Sequence, residues 1–85
     1  MKLEIGKTYL VVNLGAHTYV GRLVEVLNPF EVALEDASWV ANTGRLHVFV
    51  ERGRADGMEI EPVGQVNTRY QSIIWWPHKL FDKSE

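Results

Sequence analysis

The stretch YVGRLVEVLNPFEVALEDA, residues 19–37, decides the fold. Pro29 has no N–H to give a β-ladder, so Asn28-Pro29 marks a turn between two strands. Upstream, residues 17–27 read as a strand in which Tyr19, Gly21 and Leu23 share one face. Val24 and Val26 fall on the other face. Both faces are partly apolar, so a bend or bulge is expected, and Gly21 allows one. Downstream, Phe30, Val32 and Leu34 alternate with Glu31, Ala33 and Glu35, which is the pattern of a strand whose two sets face opposite ways. The turn itself is unusual, because Leu27 and Glu31 stand beside the Asn-Pro pair.

Working outward, residues 9–14 (YLVVNL) are short, apolar and β-branched, and form a preceding strand ended by the turn residues Gly15-Ala16. After the central hairpin, Glu35-Asp36 reads as a solvated strand end. Trp39 and Val40 are expected in the core or at a contact, and Asn42-Thr43-Gly44 is turn chemistry. Residues 45–52 fit two patterns. Leu46, Val48 and Val50 alternate like a strand, as the β-propensity of Val-Phe-Val favours. Leu46, Phe49 and Val50 also make one helical face, with Thr43 as a cap and Gly53 as a stop. Residues 58–66 read as a strand broken by Pro62 and Gly64, and residues 72–76 as a final strand ended by Pro77. Leu80-Phe81 forms an apolar hook before a charged tail. Many short strands with turn signals between them indicate a small all-β barrel.

The 85 residues are the length of one domain, with a correspondingly small core. There is no cysteine, which removes disulfides and thiolate metal sites as supplements and leaves oligomerisation. A net charge of −2 argues against a protein that coats nucleic acid nonspecifically, since such binding depends on neutralising phosphates. The opening residues Met1-Lys2-Leu3-Glu4-Ile5-Gly6 lack the apolar run of a secretory leader, and no run spans a bilayer. A cytoplasmic location without membrane partners is the expectation. The carboxylates form no pair deducible from sequence. Ser38 and Ser72 lack a nucleophile elbow or a local base, and no glycine loop cradles phosphates. Neither an enzyme nor a cofactor is expected. His17, His47 and His78 lack the spacing of a metal motif, so no metal site is expected.

The spacing around the opening stretch resembles the Sm-like (LSm) family. Gly21, Leu23, Val26, Leu27, Phe30, Glu31, Leu34, Asp36 and Ala37 fall without a gap in the slots of its first motif. Arg69-Tyr70-Gln71-Ser72-Ile73, before Ile74-Trp75-Trp76, stands where the second motif belongs. The chain is also similar to short Sm-like proteins of phages and their hosts. The likeness covers roughly residues 9–76. It treats residues 42–57 as an expanded connection, for which a short helix over 45–52 is the expectation. It implies one domain over residues 1–85 with its core at about 8–77, folded as a strongly bent five-stranded barrel. It also implies a homo-oligomeric ring of five, six or seven protomers. The segments 65–68 and 72–76 of neighbouring protomers would pair, which places Val66, Thr68, Ile74 and Trp76 at the interface.

The family's pocket for RNA implies contacts from Asn28, Arg69, Tyr70 and Gln71. Two recognition slots differ: Leu27 stands for an aspartate and Glu31 for an asparagine. Glu31 repels phosphate and is expected to pair with Arg69. Two functions follow as expectations. One is a ring that binds RNA or single-stranded nucleic acid in a divergent pocket. The other is a structural or protein-interaction ring of phage-related origin that binds no nucleic acid.

Overall fold

Strands β1 (Thr8–Asn13), β2 (Thr18–Asn28) and β3 (Glu31–Ala41), helix α1 (Leu46–Arg52) and strand β4 (Glu59–Trp75) follow one another along residues 2–81, which the computed structural model describes. The strands form a closed antiparallel barrel in the order β1-β2-β3-β4. The charged tail after Phe81 lies outside the described residues.

The barrel has four strands rather than the expected five. Pro62 and Gly64 do not interrupt β4. Its first half, Glu59 to Arg69, pairs with β3, and its second half, Tyr70 to Trp75, pairs with β1. One long bent strand therefore occupies the places of the two strands expected over 58–66 and 72–76. Each half pairs along one edge only among the described residues, which is why Pro62 is tolerated: an edge strand needs no donor on its open side.

The bend is built from paired irregularities. Leu34 pairs with Val66 and Ala37 with Gly64, so β3 carries one extra residue at that step. Asp36, at φ 51°, sits in the bulge. At the next pair the excess passes to β4, where Ser38 faces Pro62, and Gly64 takes φ +73°. The expected solvated strand end at Glu35-Asp36 is thus mid-strand. Both carboxylates accept hydrogen bonds from Arg22, the Glu35 bond at 2.9 Å. These bonds, Glu35 first, raise the guanidinium pKa above its ordinary value. Gly21 is buried opposite this bulge. A Cβ placed on it would lie 2.9 Å from the Ala37 Cβ, so β2 and β3 approach there more closely than any side chain permits.

Two cores share β1. Tyr9 and Val11 point into the barrel with Leu23, Val32, Leu34 and Ala37. Leu10 points outward with Val20 and Val40, against Phe49 of α1 and Trp76. Successive strand residues face opposite sides, so the unbroken apolar run YLVV serves both. The helix is held on the outer face by Phe49, which is fully buried with its ring 5.0 Å from that of Trp76. Burying such a ring stabilises by about 1.5–3 kcal/mol. Gly53 stops the helix as the sequence indicates. It adopts φ 79°, and its N–H donates to the Phe49 carbonyl at 2.7 Å. The N-cap position, however, is Arg45 rather than Thr43, and no side chain caps it. Pro77 and the hook then fold back across α1. His78 Nε2 donates to the Val50 carbonyl at 2.7 Å, and Leu80 and Phe81 pack on the outer core.

Three aromatic side chains take different places. Phe30 is 61% exposed, because the hairpin turn takes Pro29-Phe30 as its two central residues and leaves only Val32 and Leu34 of that set inside. Trp39 is half-buried and meets His17 edge-on rather than entering either core. Trp76, expected at an interface, is buried within the chain. Among the described residues no helix is long and apolar enough to cross a membrane.

Candidate nucleic-acid interface

The tip of the β2–β3 hairpin is fixed by its own side chains. The Asn28 Oδ1 accepts from the Phe30 N–H at 2.9 Å, an Asx turn that Pro29 pre-sets by its fixed φ. The Asn28 Nδ2 donates to the Glu31 carboxylate, also at 2.9 Å. Both polar ends of Asn28 are therefore engaged in shaping the turn.

The middle of β4 crosses this tip. Glu31 pairs with Arg69 in the ladder. The Tyr70 N–H donates to the Phe30 carbonyl at 2.9 Å, and its hydroxyl donates to the Pro29 carbonyl at 3.0 Å. Two segments 41 residues apart in sequence thus meet at one place. Tyr70 is half-buried, with its ring against the inner core. Arg69 and Gln71 are exposed beside it. The ion pair expected between Glu31 and Arg69 does not occur among the described residues; Glu31 accepts from Asn28 instead, and the Arg69 guanidinium faces solvent.

Three apolar side chains complete the tip. Val26, Leu27 and Phe30 are all exposed there, Phe30 most of all. By alternation Phe30 belongs to the same face as Val32 and Leu34, which are buried. The signal against that assignment was Pro29, since a two-residue turn needs a partner residue that is also out of register. What the tip offers chemically is one aromatic face, one guanidinium and one amide, next to the carboxylates of Glu25 and Glu31.

The residues assigned to a ring interface lie mostly inward. Val66 packs on the inner core, and Thr68 is buried with its hydroxyl donating to the Arg69 carbonyl at 3.0 Å. Ile74 is half-buried beside α1. The large apolar side chains that β4 exposes are Ile60, Val63 and Trp75, none of which alternation alone singles out. The three histidines are dispersed: His17 stands against Trp39, His47 is exposed on α1, and His78 is bonded to Val50. No cluster of metal-binding side chains occurs among the described residues. No family model, no curated protein and no solved structure matches this chain.

Proposed function

We propose that this chain is an Sm-like binding module rather than an enzyme, assembled into a homo-oligomeric ring in the cytoplasm, which contacts RNA or single-stranded nucleic acid at the hairpin tip. The observation that carries the reading is the meeting of Pro29-Phe30-Glu31 with Arg69-Tyr70, the two segments the Sm-like spacing assigns to one pocket. In this reading Phe30 stacks on a base and Arg69 takes a phosphate, the combination that single-strand binding uses. Asn28 and Tyr70 act by holding the turn, and Gln71 lies within reach of a base edge. Ring formation is supported by the open edge on each half of β4 and by Ile60, Val63 and Trp75 exposed along it. Edges of this kind invite pairing, and a head-to-tail contact closes them.

A second reading has its own observation. Val26, Leu27 and Phe30 form an apolar tip flanked by Glu25 and Glu31, which suits a protein partner better than a phosphate chain. That reading makes the chain a protein-interaction ring of phage-related origin.

Fluorescence anisotropy with oligo-U, oligo-A and mixed single strands at two salt concentrations separates them. Salt-sensitive binding that Arg69→Ala and Phe30→Ala each weaken about tenfold is the expected result. Undetectable binding at low salt sinks the nucleic-acid reading and leaves the protein-interaction ring. Light scattering tests assembly separately; a monomer at micromolar concentration refutes the ring.

A further inference from the structure

A second concave surface lies at the opposite end of the β3–β4 ladder from the hairpin tip, where Ala41 pairs with Glu59. The connection between β3 and β4 shapes it into an open cleft of about 900 Å³. Arg45, Arg52 and Arg54 line it, together with Thr43, Val48 and Asp56. We propose that this cleft binds an oligophosphate anion. The inference is independent of the ring and of the hairpin-tip reading.

The arginines converge for local reasons. Val48 and Arg52, spaced i, i+4, share one face of α1, and Arg45, its extended N-cap residue, lines the same cleft. Gly53 then reverses the chain in its left-handed conformation, and Arg54 comes back from the loop to line the same cleft. Three of the chain's nine lysines and arginines thus stand around one concavity in a protein of net charge −2. The cleft itself carries three cations against the single carboxylate of Asp56.

The ion pairs among the described residues are Lys7–Glu4, Arg22–Glu35 and Arg22–Asp36, so none of the three cleft arginines is in one. Like charges around one cleft repel, and an anion lodged between them removes that repulsion. Arginine presents a planar fork of donors that matches phosphate oxygens two at a time. The volume lies in the range of small-ligand sites and exceeds what one phosphate fills, so a chain of phosphoryl groups is the better fit to three forks. Thr43 adds a hydroxyl donor at the rim. All three arginines are exposed, so the binding is salt-sensitive.

A string of phosphoryl groups has two natural sources, a free oligophosphate such as a nucleotide's tail and the backbone of a single strand. Calorimetry at low salt on the full chain tests the site, with inorganic tripolyphosphate as the probe. Tripolyphosphate carries no base, so its binding is read apart from anything Phe30 does. Binding that falls on the order of tenfold in each of Arg45→Ala, Arg52→Ala and Arg54→Ala is expected, the usual effect of one charge-assisted hydrogen bond. Arg52→Lys, which keeps the charge and loses the fork, should weaken it less. Circular dichroism of each variant checks that the fold is kept. An oligonucleotide that competes with tripolyphosphate identifies a strand backbone as the occupant; binding without competition identifies a free oligophosphate. No heat of tripolyphosphate binding by the folded chain overturns the proposal, as does binding that the triple alanine variant leaves intact.

Discussion

Replacing Gly21 with alanine isolates the contact that lets the barrel bend. Gly21 is not in the left-handed region, so the backbone itself accepts alanine. The obstacle is space. The new methyl would stand 2.9 Å from the Ala37 Cβ and 3.1 Å from both the Ala37 Cα and the Leu34 Cβ. Carbon atoms pack best at about 3.5–4.0 Å. All three obstructing atoms belong to the backbone or its first carbon on β3, so none can swing aside. Overpacking of this kind costs about 1–3 kcal/mol. Removing a glycine from the unfolded chain offsets about 0.4–1 kcal/mol of it. The net expectation is a loss of about 1–2 kcal/mol, or a fall in Tm of roughly 5–15 °C for a domain of this size. Thermal unfolding followed by circular dichroism measures it. The companion variant Ala37→Gly removes the nearest obstruction, so the double variant should recover at least about 0.5 kcal/mol relative to additivity. A Gly21→Ala protein as stable as its parent refutes the steric argument, and strict additivity places the loss elsewhere.

Phe49→Ala empties the centre of the outer core, where the ring is fully buried against Trp76. A loss of about 3–5 kcal/mol is expected in urea titration, a large share of what a domain this small possesses. Gly53→Ala meets two obstacles, φ +79° and the His78 ring 2.7 Å from the new Cβ. It should loosen the hook over α1 at a cost of about 1–2 kcal/mol, seen as a red shift of Trp76 emission before global unfolding. Acrylamide should quench Trp75, 53% exposed, far more than Trp76, 2% exposed. Trp75→Phe therefore removes the most exposed emitter and leaves half-buried Trp39 as the remaining quenchable one, and self-association through β4 protects Trp75 as concentration rises.

The hairpin was legible because its signals are local. Asn28-Pro29 fixes the turn, and the alternation of Val32 and Leu34 fixes the inner face of β3. Gly53 likewise announces the end of α1. The errors arose where a tertiary neighbour decides. Pro62 and Gly64 look like a strand break along the chain, but β3 carries a compensating bulge at Asp36, so β4 passes through. Trp75 and Trp76 are equivalent by composition; only the position of Phe49, a helix away, assigns the inward role to Trp76. At the tip, Tyr70 meets the Pro29 and Phe30 carbonyls, and the resemblance gives Asn28 a ligand role although both ends of its amide are engaged in the turn. The arginine cleft is not legible from a helix over 45–52 alone, because the left-handed turn at Gly53 is what returns Arg54 to the side of Arg45 and Arg52. An alternating strand over the same residues would separate them.

The double use of β1 has a consequence for how this chain selects its register. In an ordinary half-buried strand a one-residue slip exchanges an apolar face for a polar one, and that penalty alone enforces alignment. Here the slip would trade Tyr9 and Val11 for Leu10 and Val12, one oily face for another. Alignment must come from the polar groups at the strand's ends. Asn13 supplies one, its side-chain oxygen accepting from the Gly15 and His17 amides at 2.8 and 2.9 Å. The Tyr9 hydroxyl supplies the other, accepting from the Glu4 amide at 2.9 Å. An Asn13→Ala chain should therefore show its defect as a second set of amide resonances from a shifted β1, more than as a lowered melting point.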